Sequence, residues 1–185
     1  MPFGFTHCVY TSSPASTADP AADAHTARKY GLQSVRRVAL DEVAAESDVV
    51  FVLAPGGAQT RHIVDEGFLR RMKKTGVLVN TSRGTLVDSD ALAKALREKW
   101  IWGAGVDVVE GEPNVGLDHP LVKEPRYLQR RPAAGSWLIL ALSRCVVLPH
   151  IASATIETRL GMATLAAKNL IAALLGGEMP TELKQ

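Results

Sequence analysis

The stretch Val77-Leu78-Val79-Asn80-Thr81-Ser82-Arg83-Gly84 joins a short apolar run to a charged side chain a few residues later. Two more stretches share this design, since Val106 to Val109 leads to Glu112 and Val146-Val147-Leu148 leads to His150. Short apolar runs of this kind predict buried strands. In an open parallel sheet, residues at the strand exits converge outside the carboxyl ends of the strands. We therefore expect the arginine, the carboxylate and the histidine to meet in one crevice.

These three side chains together suit the reduction of a 2-oxo acid. Arg83 can hold a carboxylate through two parallel hydrogen bonds from its planar fork, which a lysine cannot do. His150 can deliver or remove the proton on the reacting oxygen, and a neighbouring carboxylate such as Glu112 favours the charged imidazole. Each residue also has an ordinary interpretation, as a solvated loop arginine, a core histidine or a turn carboxylate before proline.

The composition is that of a globular chain with one main core. Of the 185 residues, 46% are apolar and 22% are charged, a balance that argues against disorder. The net charge of +2 comes without any long run of lysine or arginine, so neither nucleic acid nor an anionic membrane is expected as a partner. No apolar run approaches the ~20 residues that span a bilayer. A small molecule is the expected partner.

Cysteine and histidine usage points to an intracellular protein without a metal. Cys8 and Cys145 lie in strand-like apolar runs without C-x-x-C spacing, so we expect both to be buried, reduced thiols. The N-terminal residues lack the basic stretch and apolar core of a signal peptide, which predicts a cytoplasmic location. His62 and His119 have no metal-ligand spacing and are interpreted as surface or loop residues.

Short apolar strands alternate with helices, a pattern typical of a parallel sheet covered on both faces. The uniformly apolar strand 48–54 is predicted to be central, with both faces covered. Pro20 begins one helix and Gly31 ends it, and Asp88 or Ser89 can cap another. The other predicted strands are 7–11, 77–80, 101–108 and 145–148, and the other predicted helices are 41–46, 65–74 and 155–175.

Four motifs follow one another along the chain: Thr60-Arg61-His62, Val79-Asn80-Thr81-Ser82-Arg83-Gly84, Gly105-Val106-Asp107-Val108 with Glu112-Pro113, and Leu148-Pro149-His150-Ile151-Ala152-Ser153-Ala154-Thr155. In this order and spacing they resemble the D-isomer-specific 2-hydroxyacid dehydrogenases, from Asp48 to the C-terminus. Thr158-Arg159 and the ending Gly177 to Leu183 are most similar to the glyoxylate and hydroxypyruvate reductase branch.

The resemblance implies an oxidoreductase that transfers a hydride between NAD(P)H and a small 2-oxo acid. It implies that Arg83 binds the carboxylate, that His150 is the general acid and that Glu112 holds the histidine. Asp107 matches the residue at the nicotinamide end of the cofactor. The other expected cofactor contacts are Ser12, Ser13, Ala54, Pro55, Thr60, Thr81, Ser82 and Ala152. The turn Pro55-Gly56-Gly57 has two interpretations, an approach to the ribose or phosphates and a plain turn.

The resemblance also implies an α/β fold, an incomplete doubly wound parallel sheet of Rossmann-like type plus the C-terminal helix of a missing substrate lobe. Residues 1–152 are expected to be the partial NAD(P)-binding domain, and 153–185 the helix that returns to the substrate domain. The fingerprint G-x-G-x-x-G is absent, since Gly103-Ala104-Gly105 lies in a strand. We therefore expect an N-terminally truncated chain that alone turns over little or no substrate.

The cofactor preference is predicted from the end of the first strand. Ser12-Ser13 stands where an NAD-preferring protein usually offers an aspartate or glutamate to the ribose hydroxyls. Without that carboxylate a 2′-phosphate is not repelled, so we favour NADP over NAD, although no arginine stands in this segment.

Residues 127–143 form an atypical insert between pieces that family members connect directly. The insert places Trp137-Leu138-Ile139-Leu140 in what should be a surface loop, where an exposed apolar run is an aggregation hazard. We interpret the insert as translated non-coding sequence or a gene-model error.

Other functions stay open. One is a non-enzymatic nucleotide-sensing module of the same fold, such as a corepressor, although the peptide-binding lobe that it needs is not visible in the sequence. Another is a catalytically dead homologue. Within the enzymes, phosphoglycerate, lactate and formate dehydrogenases stay open, as does a homodimer.

Overall fold

Parallel strand pairing organises the part of the chain that precedes residue 150. A computed structural model of the protein describes residues 4–122, 140–142 and 144–181. The chain divides into two units, Met1–Pro149 and His150–Gln185. The first unit holds every strand described, and the second holds the C-terminal helix.

The strands of the first unit form two sheets. In the smaller sheet β1 (His7–Tyr10) pairs in parallel with β2 (Ser34–Arg37). The larger sheet has the order β3-β4-β5-β7-β6, in which only β6 runs antiparallel to its neighbour. Its strands are β3 (Val49–Val52), β4 (Val77–Asn80), β5 (Gly103–Val106), β6 (Leu140–Leu142) and β7 (Cys145–Val147). The predicted α/β fold with parallel sheets is confirmed.

Five α-helices accompany these strands among the residues described. Four begin at an aspartate or threonine whose side chain accepts a backbone N–H of the first turn, which satisfies an otherwise unpaired donor. Gly31 ends the first helix in the left-handed conformation, with φ 65°. The helices are α1 (Pro20–Tyr30), α2 (Leu40–Glu46), α3 (Glu66–Arg71), α4 (Ser89–Arg97) and α5 (Ile156–Leu174).

The structure corrects two predictions about the strands. β3 lies at the edge of the larger sheet instead of its centre, and Phe51 is 54% exposed on one of its faces. Only the alternate residues Val50 and Val52 are buried. β2 was not predicted at all, because Ser34-Val35-Arg36-Arg37 has neither an apolar run nor an apolar alternation. In addition, α3 ends at Arg71, earlier than its apolar spacing indicated.

Most of the predicted insert 127–143 lies outside the described residues, including Trp137-Leu138-Ile139. Residues 140–142 are described and form β6, which pairs with β7. The origin of the insert in non-coding sequence stays a prediction.

The core of the first unit is built from the larger sheet together with α3, α4 and the segments around them. The helix α4 contributes a stripe of buried side chains, because its apolar residues recur at helical spacing. The largest fully buried apolar side chains are Leu69, Leu78, Leu86, Leu92 and Ile101. Each buried leucine contributes about 1.5–3 kcal/mol relative to an exposed one.

The two cysteines differ in environment. Cys145 is buried in β7, and burial raises the pKa of its thiol to about 12. Cys8 is exposed, so the expectation that both thiols are buried is wrong for this residue. The reason is that β1 belongs to a two-stranded sheet, which is too small to bury the Cys8 side chain. Among the described residues, no helix has the length and apolarity to cross a membrane.

Replacing Leu92 by alanine is expected to lower the free energy of unfolding by about 2–5 kcal/mol, because the cavity left in a fully buried site adds to the lost transfer energy. Urea unfolding followed by circular dichroism measures this. The same change at Leu117, which is 71% exposed, is the matched control and should cost less than about 0.5 kcal/mol. Equal costs at the two positions would contradict the described core.

Thiol titration separates the two cysteines. At pH 8 a pKa of about 12 leaves about one Cys145 thiol in ten thousand ionised, and only the thiolate reacts. Partial burial, and then the Asp23 carboxylate, raise the pKa of Cys8, which slows its reaction without blocking access. Ellman's reagent should therefore modify one thiol in the native chain and the second only after unfolding. Cys8→Ser should abolish the native reaction; two reactive thiols in the native wild type would contradict the prediction.

Candidate functional site

Three loops leave the larger sheet at the same edge. The pairing register places Val52 beside Asn80 and Asn80 beside Val106, so the last residues of β3, β4 and β5 are level. Because these strands are parallel, the loops that follow them all start at this carboxyl edge. Arg83 and Glu112 lie in two of these loops, as the sequence predicts.

Asn80 locks the loop that follows β4. Its side chain is fully buried, its Nδ2 donates to the carbonyl oxygen of Arg83 (2.9 Å), and its Oδ1 accepts the N–H of Ser82 (3.1 Å). The Ser82 hydroxyl donates to the carbonyl oxygen of Ala54 (2.6 Å), which ties the loop to the end of β3. Leaving such a buried amide unpaired costs about 1–3 kcal/mol. Asn80 therefore positions Arg83. The sequence analysis quoted Asn80 as part of a motif but did not predict this role.

Gly84 brings the loops after β4 and β5 into backbone contact. A Cβ at this position would overlap the carbonyl carbon and oxygen of Val109 and come within 2.5 Å of the Glu110 nitrogen. Any side chain would therefore push the two loops apart. The glycine of the Arg-Gly pair is required by this close approach.

The stem of Arg83 lies against Gly56. A Cβ on Gly56 would come within 2.9 Å of the Arg83 Cγ, so glycine makes room for the arginine. The Arg83 side chain is exposed, and its Nη1 donates to the carbonyl oxygen of Ser82 (2.8 Å). A guanidinium has five N–H donors, so it can hold this carbonyl and still meet an arriving carboxylate. The glycine of the turn Pro55-Gly56-Gly57 thus has a third role, which is to leave room for the Arg83 side chain.

Glu112 and Asp107 differ in burial, although both follow β5. The Glu112 carboxylate is on an exposed residue and accepts the N–H of Val109 (2.7 Å) through Oε1. Asp107 is 3% exposed, and its N–H donates to the carbonyl oxygen of Asn80 (2.9 Å), which continues the β4–β5 ladder. Since Gly84 contacts the same loop, the structure brings the Arg83 and Glu112 loops together.

His150 is the first residue of the second unit, where its φ of 56° is left-handed. Ala152 lies in the turn before α5. At the start of that helix, the N–H of Thr158 donates to the Thr155 hydroxyl. The predicted pairing of His150 with Glu112 joins the two units and stays a prediction.

The expected cofactor-binding residues after β3 form a closed turn. The Thr60 hydroxyl donates to the carbonyl oxygen of Pro55 (2.7 Å) and also lies within 3.3 Å of that of Gly57. Ala54 already accepts the Ser82 hydroxyl. Both hydroxyls therefore shape the loops, and the neighbouring residues Pro55 and Thr81 are exposed to solvent.

His62 ties the loop after β3 to the loop after β5. Its Nε2 lies 2.9 Å from Glu110 Oε2, and its Nδ1 lies 4.0 Å from Asp88 Oδ2. Arg61 pairs with the other oxygen of Glu110 (2.5 Å). The prediction of a loop residue did not foresee these partners, because Glu110 is 48 residues away in sequence. Within the ranges that the structure describes, no cluster of three or more His, Cys, Asp or Glu could hold a metal ion.

Arg37 of β2 contacts the loop after β1. Its Nη2 donates to the carbonyl oxygen of Ser13 (3.0 Å), and its Nη1 donates to that of Ser16 (2.6 Å). The segment Ser12-Ser13 itself holds no arginine, as expected, and this arginine comes from a neighbouring strand. The sequence analysis did not predict that neighbour, because it missed β2, whose register sets Arg37 opposite Tyr10.

A family model described as "D-isomer specific 2-hydroxyacid dehydrogenase, NAD binding domain" matches residues 15–152. The chain belongs to this family. Glyoxylate reductases of Thermofilum pendens and Korarchaeum cryptofilum are 46% and 45% identical to it, over 78% and 80% of this chain. The family expected from the motifs is confirmed, and the two relatives named here belong to the branch that the motifs favoured.

Two solved structures have a similar fold. The NADPH-dependent glyoxylate/hydroxypyruvate reductase of Sinorhizobium meliloti, in complex with NADP and malonate, is 31% identical over 98% of this chain, with a TM-score of 0.71. The holo D-mandelate dehydrogenase of Rhodotorula graminis is 29% identical over the whole chain, with a TM-score of 0.74. The chain spans 37–39% of the two curated reductases and 45–46% of these two structures.

Replacing Gly84 by alanine is expected to lower the free energy of unfolding by about 1–3 kcal/mol, because the added methyl overlaps the Val109 carbonyl and forces backbone shifts. Denaturant unfolding measures the loss, and the amide resonances of Arg83 and Glu112 should move with it. Gly105→Ala in β5 is the matched control, since a Cβ there meets nothing within 4 Å. Equal effects at the two glycines would contradict the contact between the loops.

Proposed function

We propose that this chain carries the catalytic edge of an NAD(P)-dependent 2-hydroxyacid dehydrogenase of the glyoxylate/hydroxypyruvate reductase type. The observation that carries this proposal is the locked arrangement of the Arg83 and Glu112 loops at the carboxyl edge of the parallel sheet. The similarity to named glyoxylate reductases supports the same substrate class, a small 2-oxo acid.

The residues at this edge fit a nicotinamide dinucleotide. Pro55 and Thr81 are exposed residues of the loops after β3 and β4, where the cofactor can approach, and Asp107 lies at the exit of β5. The hydroxyls of Thr60 and Ser82 are already bonded to backbone, so the loops are shaped before any ligand arrives. When bound, the nicotinamide supplies or accepts the hydride. The family model describes this part of the chain as NAD-binding.

The proposed roles follow from charge and exposure. Arg83 holds the substrate carboxylate in its planar fork and orients the neighbouring carbonyl. His150 donates the proton that the carbonyl oxygen takes up as its carbon is reduced, and Glu112 holds the imidazole in position. In the reverse direction the same imidazole accepts the proton of the 2-hydroxy acid. The pairing of His150 and Glu112 is part of this proposal.

We also propose a cytoplasmic location and, as a second element, association into a homodimer. The location is motivated by two reduced thiols and by the absence, among the described residues, of a helix suited to a membrane.

Analytical ultracentrifugation of the purified chain tests the proposed homodimer. A single monomeric species at micromolar concentration would exclude it.

Oxamate, an unreactive analogue of a 2-oxo acid, tests the role of Arg83 by binding. Arg83→Gln should weaken oxamate binding to the NADPH-loaded chain by roughly 10–100-fold, because a charge-assisted bidentate contact is lost. Isothermal titration measures both affinities. Arg97→Gln removes an exposed arginine from α4 and is the matched control, with no change expected. Unchanged binding in the Arg83 variant would contradict the assignment.

Turnover separates the proposed enzyme from its alternatives. The chain spans about two-fifths of its curated relatives, so only slow oxidation of NADPH by glyoxylate is expected, followed at 340 nm with high enzyme concentration and confirmed by detection of glycolate. His150→Gln and Arg83→Gln should each abolish it. NADPH and oxamate binding without any glycolate would favour a catalytically dead homologue, and NADPH binding without oxamate binding a nucleotide-sensing module.

A further inference from the structure

His62 lies where the loops after β3, β4 and β5 meet. Its backbone N–H donates to the carbonyl oxygen of Thr85 (2.8 Å), the residue that follows Gly84. Its side chain contacts the loop after β5, where Nε2 lies 2.9 Å from Glu110 Oε2. One residue therefore links the same two loops that the Gly84 contact brings together.

The backbone of His62 is left-handed. Its φ of 51° lies in a region that is uncommon for residues other than glycine. Such conformations persist where the surrounding structure holds them, and they cluster at functional sites. Here the bond to Thr85 and the contact with Glu110 hold the residue from two sides.

Glu110 lies directly beside the hydrogen bond that orients Glu112. The N–H that the Glu112 carboxylate accepts belongs to Val109, the residue before Glu110. The peptide that joins Val109 to Glu110 is also the one that Gly84 approaches. A displacement of Glu110 therefore moves the Val109 N–H, and with it the carboxylate of Glu112. Arg61 pairs with the Glu110 carboxylate as well, so both side-chain anchors come from the loop after β3.

The number of protons on the ring distinguishes His62 from Arg61. An ionised carboxylate only accepts, so the Nε2 that faces Glu110 carries the hydrogen when the imidazole is neutral. The bare Nδ1 then faces Asp88 Oδ2 at 4.0 Å, and protonation turns this nitrogen into a donor. The other oxygen of Asp88 caps α4. Protonated His62 thus joins the start of α4 to the loop after β5, whereas the neutral ring donates to Glu110 alone.

We propose that His62 is a positioning residue, which orients the Glu112 carboxylate through Glu110 and does so more firmly when its imidazole is protonated. The role of Glu112 is that of the proposed function, on which this inference rests. Imidazole side chains change charge between about pH 5 and 8. The arrangement therefore gives the site a pH response separate from that of His150.

His119 is a second imidazole at Glu110. Its ring hydrogen-bonds to the Glu110 backbone, and its Nδ1 accepts the N–H of Leu121 (3.3 Å). Burial lowers the pKa of His119, so this ring takes up its proton at a lower pH than an ordinary histidine. A test of His62 must therefore separate the two rings. The charged groups that face His62 itself are Glu110 of the loop after β5, Asp88 at the start of α4 and Arg61 of its own loop.

An NMR titration of the purified chain between about pH 5 and 8 tests the inference without any ligand. In the wild type, the amide resonances of Val109 and Glu112 should inflect with the same midpoint as the Cε1–H resonance of His62. His62→Gln keeps a donor for Glu110 but takes up no proton, so both inflections should be lost. His25→Gln removes an exposed histidine from α1 and is the matched control, which should leave them unchanged.

A second variant, Glu110→Gln, keeps the length of the side chain and removes its charge. It should also abolish the shared inflection, whereas His119→Gln should leave it in place. Wild-type amides that do not follow His62 overturn the inference, and so do inflections that survive both His62→Gln and Glu110→Gln. Loss of the inflections in His119→Gln would assign the response to that ring and would likewise overturn it.

The outcome is distinguishable from failure of the proposed function. The titration needs neither cofactor nor substrate, and Arg83→Gln, measured in parallel, should leave the inflections unchanged. A shared inflection in a chain that binds no oxamate would reject the dehydrogenase role of Arg83 and keep the coupling of His62 to the Glu112 loop. Oxamate binding by a chain whose Val109 amide does not follow His62 would do the reverse.

Discussion

The close approach of two backbones, at Gly84 on one loop and Val109 on the other, is the constraint on which the site depends. It fixes the spacing between the loop that carries Arg83 and the loop that carries Glu112. The buried Asn80 amide then sets the path of the first loop, and the Glu112 carboxylate closes the second by accepting the Val109 N–H. Positive and negative groups are thus held at one edge by contacts that involve no ligand.

The carboxyl edge of the larger sheet suits a reaction because its loops are ordered before a ligand binds. Hydroxyls that a ligand might have used, those of Thr60 and Ser82, are bonded to carbonyl oxygens of the loop after β3. The loops therefore need little reordering when a ligand arrives, and groups held in place before reaction are the ones that lower a barrier most. The His62 and Arg61 contacts to Glu110 add a brace between the loops after β3 and β5.

Sequence reasoning recovered the strands that contain apolar runs and the motif residues at their exits. Val77–Asn80 and its arginine are an example, because burial and position follow from the pattern itself. It failed where a contact joins residues distant in sequence. Arg37 beside Ser13 depends on β2, whose four residues have no strand pattern, and the partnership of His62 with Glu110 spans two loops. The edge position of β3 was not predicted, because an apolar sequence shows that a strand can be buried but not which elements lie beside it.

The open side of β3 has a consequence for handling the protein. Among the described strands only β4 pairs with β3, and Phe51 and Leu53 on this open side are 54% and 72% exposed. An apolar strand edge of this kind recruits extended segments of other chains through main-chain hydrogen bonds. We therefore expect self-association in concentrated solutions of the chain to begin at this strand.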